Sequence, residues 1–367
     1  MIILNSGIGN YVFSNGKEYL YFGGNNYLGL ANHPAVRQAV IAAVEKYGIN
    51  VSASRHTTGT ADIHLELESD LASFKERDDA VVFASGYQGN SILLEILRDR
   101  YSTVFVDRMA HASAIAAIPA GAGGAVFYDH CDADHLERLM DNDSNGRPLV
   151  ITDGIFALTG EIAPLDRIYK AVKRHDGILV VDDAHSTGIL GDTGKGTPEY
   201  FRLPGDSHIY QSETMSKALG GYGGFICGSK ELTGLIRDRS ATYQASTALP
   251  PPIAAAGIAA LKIIRDNPHL RIDLLDKASG LRDEITGLGF HTTHFRTPII
   301  PVFLESSEKA EALSAFLEAN GVLAPYMNYP VRDKRSQIRI AVSVSHTTGQ
   351  IERLIKLLKK WKVNENS

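Results

Sequence analysis

A chain of 367 residues, 44% hydrophobic and 22% charged, excludes a disordered tail or a small stapled module and has room for a large α/β domain plus a smaller one. Its net charge of −5 is spread along the sequence, so no broad positive surface is advertised and neither nucleic acid nor a membrane is an expected partner. Cys131 and Cys227 are the only cysteines, too few for a disulfide framework; with no leader pattern over Met1–Phe13 and no run near ~20 apolar residues, a soluble, cytoplasmic protein is expected.

Residues 1–33 read as an N-terminal segment. From there to residue 250, helical periodicity alternates with short β-branched runs, the pattern of a mostly parallel sheet wrapped by helices. The expected strands are Ala80–Ala84, Thr103–Asp107, Gly124–Tyr128, Leu149–Asp153, Ile178–Asp182, His208–Ser212 and Gly224–Cys227. Between them the periodicity predicts helices Asp62–Lys75, Gln88–Leu97, Asp132–Asp141 and Leu165–His175. Pro250-Pro251-Pro252 suits a helix start, so Pro252–Arg265 is expected to lead into a smaller α+β domain over 251–367. There Ile299–Phe303 and Gln337–Val344 read as strands, and Glu308–Asn320 and Thr348–Trp361 as helices.

Several strands end in polar or glycine-bearing segments: Ser85-Gly86-Tyr87, Asp107-Arg108, Asp153-Gly154 and Asp182-Asp183-Ala184-His185. In open α/β sheets the crevice beyond the carboxyl ends of the strands takes the ligand, so these groups point to one site. Lys217 follows a strand and precedes Gly220-Gly221, among small and hydroxylated neighbours. A desolvated amine there loses its proton readily, as a Schiff-base lysine must. Asp182 ends an apolar run with His185 three residues on; a carboxylate facing a pyridine nitrogen keeps it protonated and lets the ring accept electrons. Alone, Asp182 reads as a turn cap and His185 as a satisfied histidine; beside Lys217 the functional reading prevails.

Eight segments in order resemble the α-oxoamine synthase family of pyridoxal 5'-phosphate (PLP) enzymes: Asn25 to Leu30, Ser85 to Tyr87, Asp107 to Ser113, Thr152 to Phe156, Asp182 to Gly188, Thr214 to Gly220, Ser246 to Pro251, and Arg339 with Ser345-His346-Thr347. The resemblance implies the aspartate aminotransferase-like fold type I, with a mostly parallel seven-stranded sheet in the large domain. It implies that Lys217 forms the internal aldimine, that Asp182 pairs with the ring nitrogen, and that His185 bonds the phenolic oxygen. His111 would stack on the ring, and the backbone of Gly86 and Tyr87 would hold the phosphate at a helix N-terminus. Ser85, Asp153 and Thr214 complete the cofactor set, and Thr247 reaches in from a second subunit, implying a homodimer. Arg339 would clamp the amino-acid carboxylate, with Asn26 nearby. The implied reaction condenses an amino acid with an acyl-CoA or acyl-carrier thioester, loses carbon dioxide and gives an α-amino ketone.

The chain departs from the family pattern at Ala157, where relatives carry a serine contacting the phenolic oxygen, and at Thr159, where they carry an acid. It also lacks the additional N-terminal helix of relatives, and Val331 to Gln337 is a basic stretch read as a solvated loop. His130-Cys131-Asp132-Ala133-Asp134-His135 has metal-ligand residue types, but Asp132 reads as a helix cap. Gly121 to Gly124 precedes a strand and is not a dinucleotide fingerprint, and Ser186 lacks the glycine-flanked elbow of a hydrolase. The competing readings are an aminotransferase or another fold type I PLP enzyme, and a non-catalytic scaffold, which the presence of Lys217 disfavours.

Overall fold

A computed structural model describes residues 2–118, 125–143, 146–203, 205, 208–327 and 336–365. The chain forms two compact units: Met1–His33 with Ala157–Glu161 and Asn267–Ser367, and Pro34–Phe156 with Ile162–Asp266. The segment Gly121 to Gly124, and residues 331–335 of the basic stretch, lie outside the described residues.

The first unit opens with a hairpin absent from the sequence reading. Strands β1 (Tyr11–Ser14) and β2 (Lys17–Tyr21) pair antiparallel across Asn15-Gly16. Both turn residues have positive φ, 50° and 73°, the geometry that Asn-Gly supplies in a two-residue hairpin loop.

The second unit holds the seven-stranded sheet: β3 (Asp79–Phe83), β4 (Thr103–Asp107), β5 (Ala125–Tyr128), β6 (Pro148–Asp153), β7 (Ile178–Asp182), β8 (Ile209–Thr214) and β9 (Gly224–Gly228). The order is β3-β9-β8-β7-β6-β4-β5, and only β9 runs against its neighbours. These strands read as apolar runs because helices cover both faces. One face packs Val104, Val106, Ile151 and Val180 against Ile92, Leu93 and Leu97 of the helix Gln88–Ile96 and its end. The other packs Phe105, Val150, Leu179 and Val181 against Leu136 and Met140 of Ala133–Asp141 and Ile168 and Val172 of Leu165–Arg174. Burying each such side chain contributes about 1.5–3 kcal/mol. The parallel register sets Asp153 of β6 beside Asp182 of β7 at the carboxyl edge. The helix Pro251–Asp266, with prolines in its first turn, packs along Pro34–Tyr47 in this same unit.

Back in the first unit, β10 (Ile299–Leu304) precedes β11 (Val322–Leu323), which adds parallel to β2, and β12 (Ser336–Ala341), which pairs antiparallel with β10. The last strand is shorter than the expected Gln337–Val344. A turn ends it, in which the Ser343 N–H donates to His346 Nδ1 at 3.0 Å and the Val344 N–H to Tyr27 O.

His346 is 1% exposed and stacks on Phe22 at 4.2 Å between ring centroids. Nδ1 accepts from Ser343, so Nε2 carries the proton and donates to Tyr21 O at 3.1 Å. A second proton has no acceptor there, and burial first, with the nearby Lys277 charge, lowers its pKa to about 4. Between that value and the unfolded pKa near 6.5 the unfolded chain binds the additional proton, so stability falls as pH drops through this window, by up to roughly 3 kcal/mol. Urea midpoints measured at pH 7.5 and 4.5 should separate more for the native chain than for His346→Gln.

Candidate functional site

A cleft of about 510 Å³ at the carboxyl edge of the second unit's sheet is lined by Ser85, Gly86, Tyr87, His111, Asp153, Asp182, His185, Thr214 and Lys217. Nine of the sequence-named residues therefore meet, contributed by the last residues of β6, β7 and β8 and by the turns after β3, β4, β7 and β8.

The turn after β3 leads into Gln88–Ile96, a helix of nine residues. Tyr87 N–H donates to Ser85 Oγ at 3.3 Å, and Ser85 N–H to Gln88 Oε1 at 3.1 Å. Gly86 has no room for a side chain: a Cβ there would lie 2.7 Å from Thr214 Cβ and Oγ1. Thr214 donates to Gly223 O at 2.8 Å and accepts from the Ser216 N–H. Backbone and hydroxyls thus converge at the positive end of a helix, which suits an anion.

Deeper in the cleft, Asp182 Oδ2 accepts from Asn90 Nδ2 at 2.8 Å and Oδ1 from the Ala184 N–H at 3.2 Å. Asp153 accepts the His111 N–H at 3.0 Å. Burial first, then the Asp182 charge alongside, push the Asp153 carboxyl well above its usual range. His111 Nδ1 accepts from the Ser113 N–H at 3.2 Å and lies 2.8 Å from Ser113 Oγ, which leaves the ring proton on Nε2. Burial lowers the His111 pKa, the Lys217 charge adds to that, and Asp182 opposes it. A neutral imidazole is the outcome.

Below these groups Lys75 and Glu213 form a fully buried ion pair. Thr187 Oγ1 also donates to Glu213 at 2.8 Å, and Lys75 to Lys195 O. Burial pushes the Glu213 carboxyl up against the opposing pull of Lys75. Neither residue was singled out from the sequence.

The structure places the other named residues elsewhere. Thr247 is exposed and bridges to Ser54. Arg339, on β12 in the first unit, is 4% exposed; Nε donates to Ala157 O at 2.6 Å and Nη2 to Asn25 Oδ1 at 2.8 Å and Tyr27 Oη at 3.2 Å. Asn26 instead accepts the Ala31 N–H at 3.0 Å. Asn25 is the residue the sequence reading missed, and an Asn-Asn pair gives no local signal of which side chain turns toward the arginine.

Asp107, His130 and Cys131 bring potential metal-ligand atoms within 4.8 Å. The Asp107 oxygens already accept from the Met109 and Cys131 N–H groups and pair with His130 Nδ1. Asp132 caps the following helix through the His135 N–H at 2.8 Å. The cluster is accounted for as a hydrogen-bonded turn.

The donor set fits PLP: an amine for its aldehyde, a carboxylate for its ring nitrogen, an imidazole for its face and a helix start for its phosphate. The aminotransferase class I and II family matches residues 17–358. The chain is 36% identical over 359 residues to a putative 8-amino-7-oxononanoate synthase of Acetivibrio thermocellus, covering 98% of this chain and 92% of that one. It is also 36% identical over 363 residues to the 8-amino-7-oxononanoate synthase of Thermoanaerobacter pseudethanolicus, with the same shares covered. A solved structure of SPT with a PLP internal aldimine superposes with a TM-score of 0.92 at 26% identity, over 98% of this chain and 92% of that one. The 8-amino-7-oxononanoate synthase of Francisella tularensis, at 24% identity and a TM-score of 0.81 over 95% and 99% of the two chains, shares the fold.

Proposed function

We infer the reaction from one premise: the chain belongs to the aminotransferase class I and II family and, within it, to the α-oxoamine synthases. It is a PLP-dependent enzyme of the 8-amino-7-oxononanoate synthase type, joining an amino acid to an acyl thioester. The observation that carries this reading is the convergence of Lys217, Asp182, His111 and His185 in one cleft.

PLP, when bound, supplies a cationic ring that accepts electrons from the substrate carbon. The chain's own residues do the rest. Lys217 Nζ would be the cofactor's attachment point and the base for the substrate Cα proton. Asp182 would keep the ring nitrogen protonated, and His185 would hold the phenolic oxygen. With Ala157 where relatives carry a serine for that oxygen, His185 would carry more of the task. His111 covers the ring face, and its Nε2–H is the donor it offers to the substrate carboxylate. Ser85, Gly86, Tyr87 and Thr214 hold the phosphate, and Asp153 fixes the His111 backbone.

Arg339 is assigned to the amino-acid carboxylate, supported by Asn25 in the place first given to Asn26. Arg339→Lys, which loses the planar fork, should raise KM for the amino acid about tenfold or more, because charge-assisted bonds contribute ~1.5–3 kcal/mol each. Steady-state kinetics at saturating thioester, giving KM and kcat separately, checks this.

We assign alanine and a pimeloyl thioester as substrates, the pair an 8-amino-7-oxononanoate synthase joins. The test is to offer alanine, glycine or serine with pimeloyl-, acetyl- or palmitoyl-CoA and measure free thiol. Alanine with pimeloyl-CoA should react fastest; amino transfer to a keto acid without thiol release would overturn the assignment. A homodimer completes the proposal, with Thr247 entering the partner's site. In support, Ile49, Leu65, Tyr87 and Tyr222 of the second unit are more than half exposed, apolar surface that a second copy would cover. Among the described residues no helix is long and apolar enough to cross a membrane; the cytoplasm is the compartment we assign.

A further inference from the structure

We propose that Asn90 is a positioning residue for this reaction, fixing Asp182 directly and His111 through Ser113. The proposal rests on the reading that Asp182 serves the ring nitrogen and His111 the ring face.

Asn90 is fully buried on the helix Gln88–Ile96, whose Ile92, Leu93 and Leu94 are buried and apolar. An amide at that depth is costly unless it is hydrogen-bonded. Its Nδ2 donates to Asp182 Oδ2 at 2.8 Å and to Ser113 Oγ at 3.0 Å. Its Oδ1, also buried, has no hydrogen-bond partner among the described residues. The side chain therefore satisfies its donors and leaves its acceptor unmet, which points to the N–H groups as what the position requires.

Those two donations fix the polarity of the neighbouring bonds. An amide nitrogen cannot accept, so Asp182 must be the acceptor at one end and Ser113 Oγ the acceptor at the other. With its oxygen accepting from Asn90, the Ser113 hydroxyl turns its proton to His111 Nδ1, 2.8 Å away. The Ser113 N–H reaches that same Nδ1 at 3.2 Å. Nδ1 is thereby an acceptor only, and the imidazole proton sits on Nε2. One carboxamide thus donates to the Asp182 carboxylate and orients the Ser113 hydroxyl toward His111, whose tautomer the Ser113 N–H fixes alongside it.

Among the described residues, the other charged or titratable groups lining the cleft with Asp182 and His111 are Asp153, His185, Glu213, Lys217 and Tyr87. None is altered by replacing Asn90, so a change in cofactor behaviour can be assigned to the amide. If Asp182 loses its tether, the ring nitrogen gives up its proton more easily. The nitrogen attached to Lys217 then no longer feels that positive charge, and its own pKa rises.

Two replacements separate donation from space-filling: Asn90→Ala, and Asn90→Leu, which keeps the volume and removes both N–H groups. Each is loaded with PLP, checked for fold by circular dichroism, and titrated with pH by its visible absorbance. Both are expected to raise the titration midpoint by about one pH unit and to lower kcat by about tenfold, the scale of a lost bond to a charged group. Ser113→Ala, which breaks only the His111 branch, should leave the midpoint in place and raise KM for the amino acid. The proposal is overturned if folded, PLP-loaded Asn90→Leu keeps the native midpoint and kcat, or if Ser113→Ala shifts the midpoint as far as the Asn90 variants. Failure of the functional reading looks different: native protein would then show no visible absorbance that depends on Lys217.

Discussion

Lys217→Ala is expected to abolish covalent cofactor attachment and to cut turnover by about 10⁴, the upper range for a lost proton-transfer group. Borohydride should fix the cofactor to native protein and leave the variant unlabelled. The two losses would have one origin, because the role proposed for Lys217 makes a single amine both the cofactor's attachment point and the base at the substrate carbon. Lys217 lies in the turn after β8, held from beneath by the bonds of Thr214 to Gly223 and Ser216. That turn is fixed independently of the lysine side chain, so the variant should fold and bind PLP without attaching it. A small exogenous amine should restore part of the turnover, which a misfolded protein would not permit.

Asp182→Asn should retain attached cofactor and lose about 10²–10³ in kcat, the usual scale for removing a group that stabilises charge in the transition state. The amide keeps the size of the carboxylate, and its oxygen can still accept from Asn90. What disappears is the negative charge proposed to keep the ring nitrogen protonated. The neighbouring Asp153 should respond as well. Part of what raises its carboxyl is the Asp182 charge, so neutralising Asp182 brings Asp153 down toward the ordinary range. Rapid-quench measurement of thiol release at saturating substrates, with the absorbance titration run alongside, distinguishes this loss from weakened binding.

Much of the sheet is legible in the sequence for a simple reason. Strands such as Thr103–Asp107 and Ile178–Asp182 are buried on both faces, so each shows as an unbroken apolar run with its polar residue at the carboxyl end. The polar ends in turn announce the cleft, and motif order along the chain supplies the cofactor. The hairpin of β1 and β2 went unread although Asn15-Gly16 signals it, because its four- and five-residue strands are half exposed and carry little periodicity. Asn25 was passed over for its neighbour, since the two differ only in which way a side chain turns. Asn90 leaves a single trace, one amide among apolar helix positions, and its partners lie 23 and 92 residues away. Contacts of that span are set by the packed sheet and have no local pattern.

The buried ion pair of Lys75 and Glu213 has a bearing on how this sequence can drift over generations. Neither residue can be exchanged by itself without stranding the other's charge in the interior, at a cost of about 3–5 kcal/mol, whereas a matched apolar pair of similar volume is close to neutral. Because Glu213 stands on the strand that leads into Lys217, a single-step lineage would have to pass through a form weakened beside the cleft. The two positions are therefore expected to be inherited as a unit, present together or replaced together.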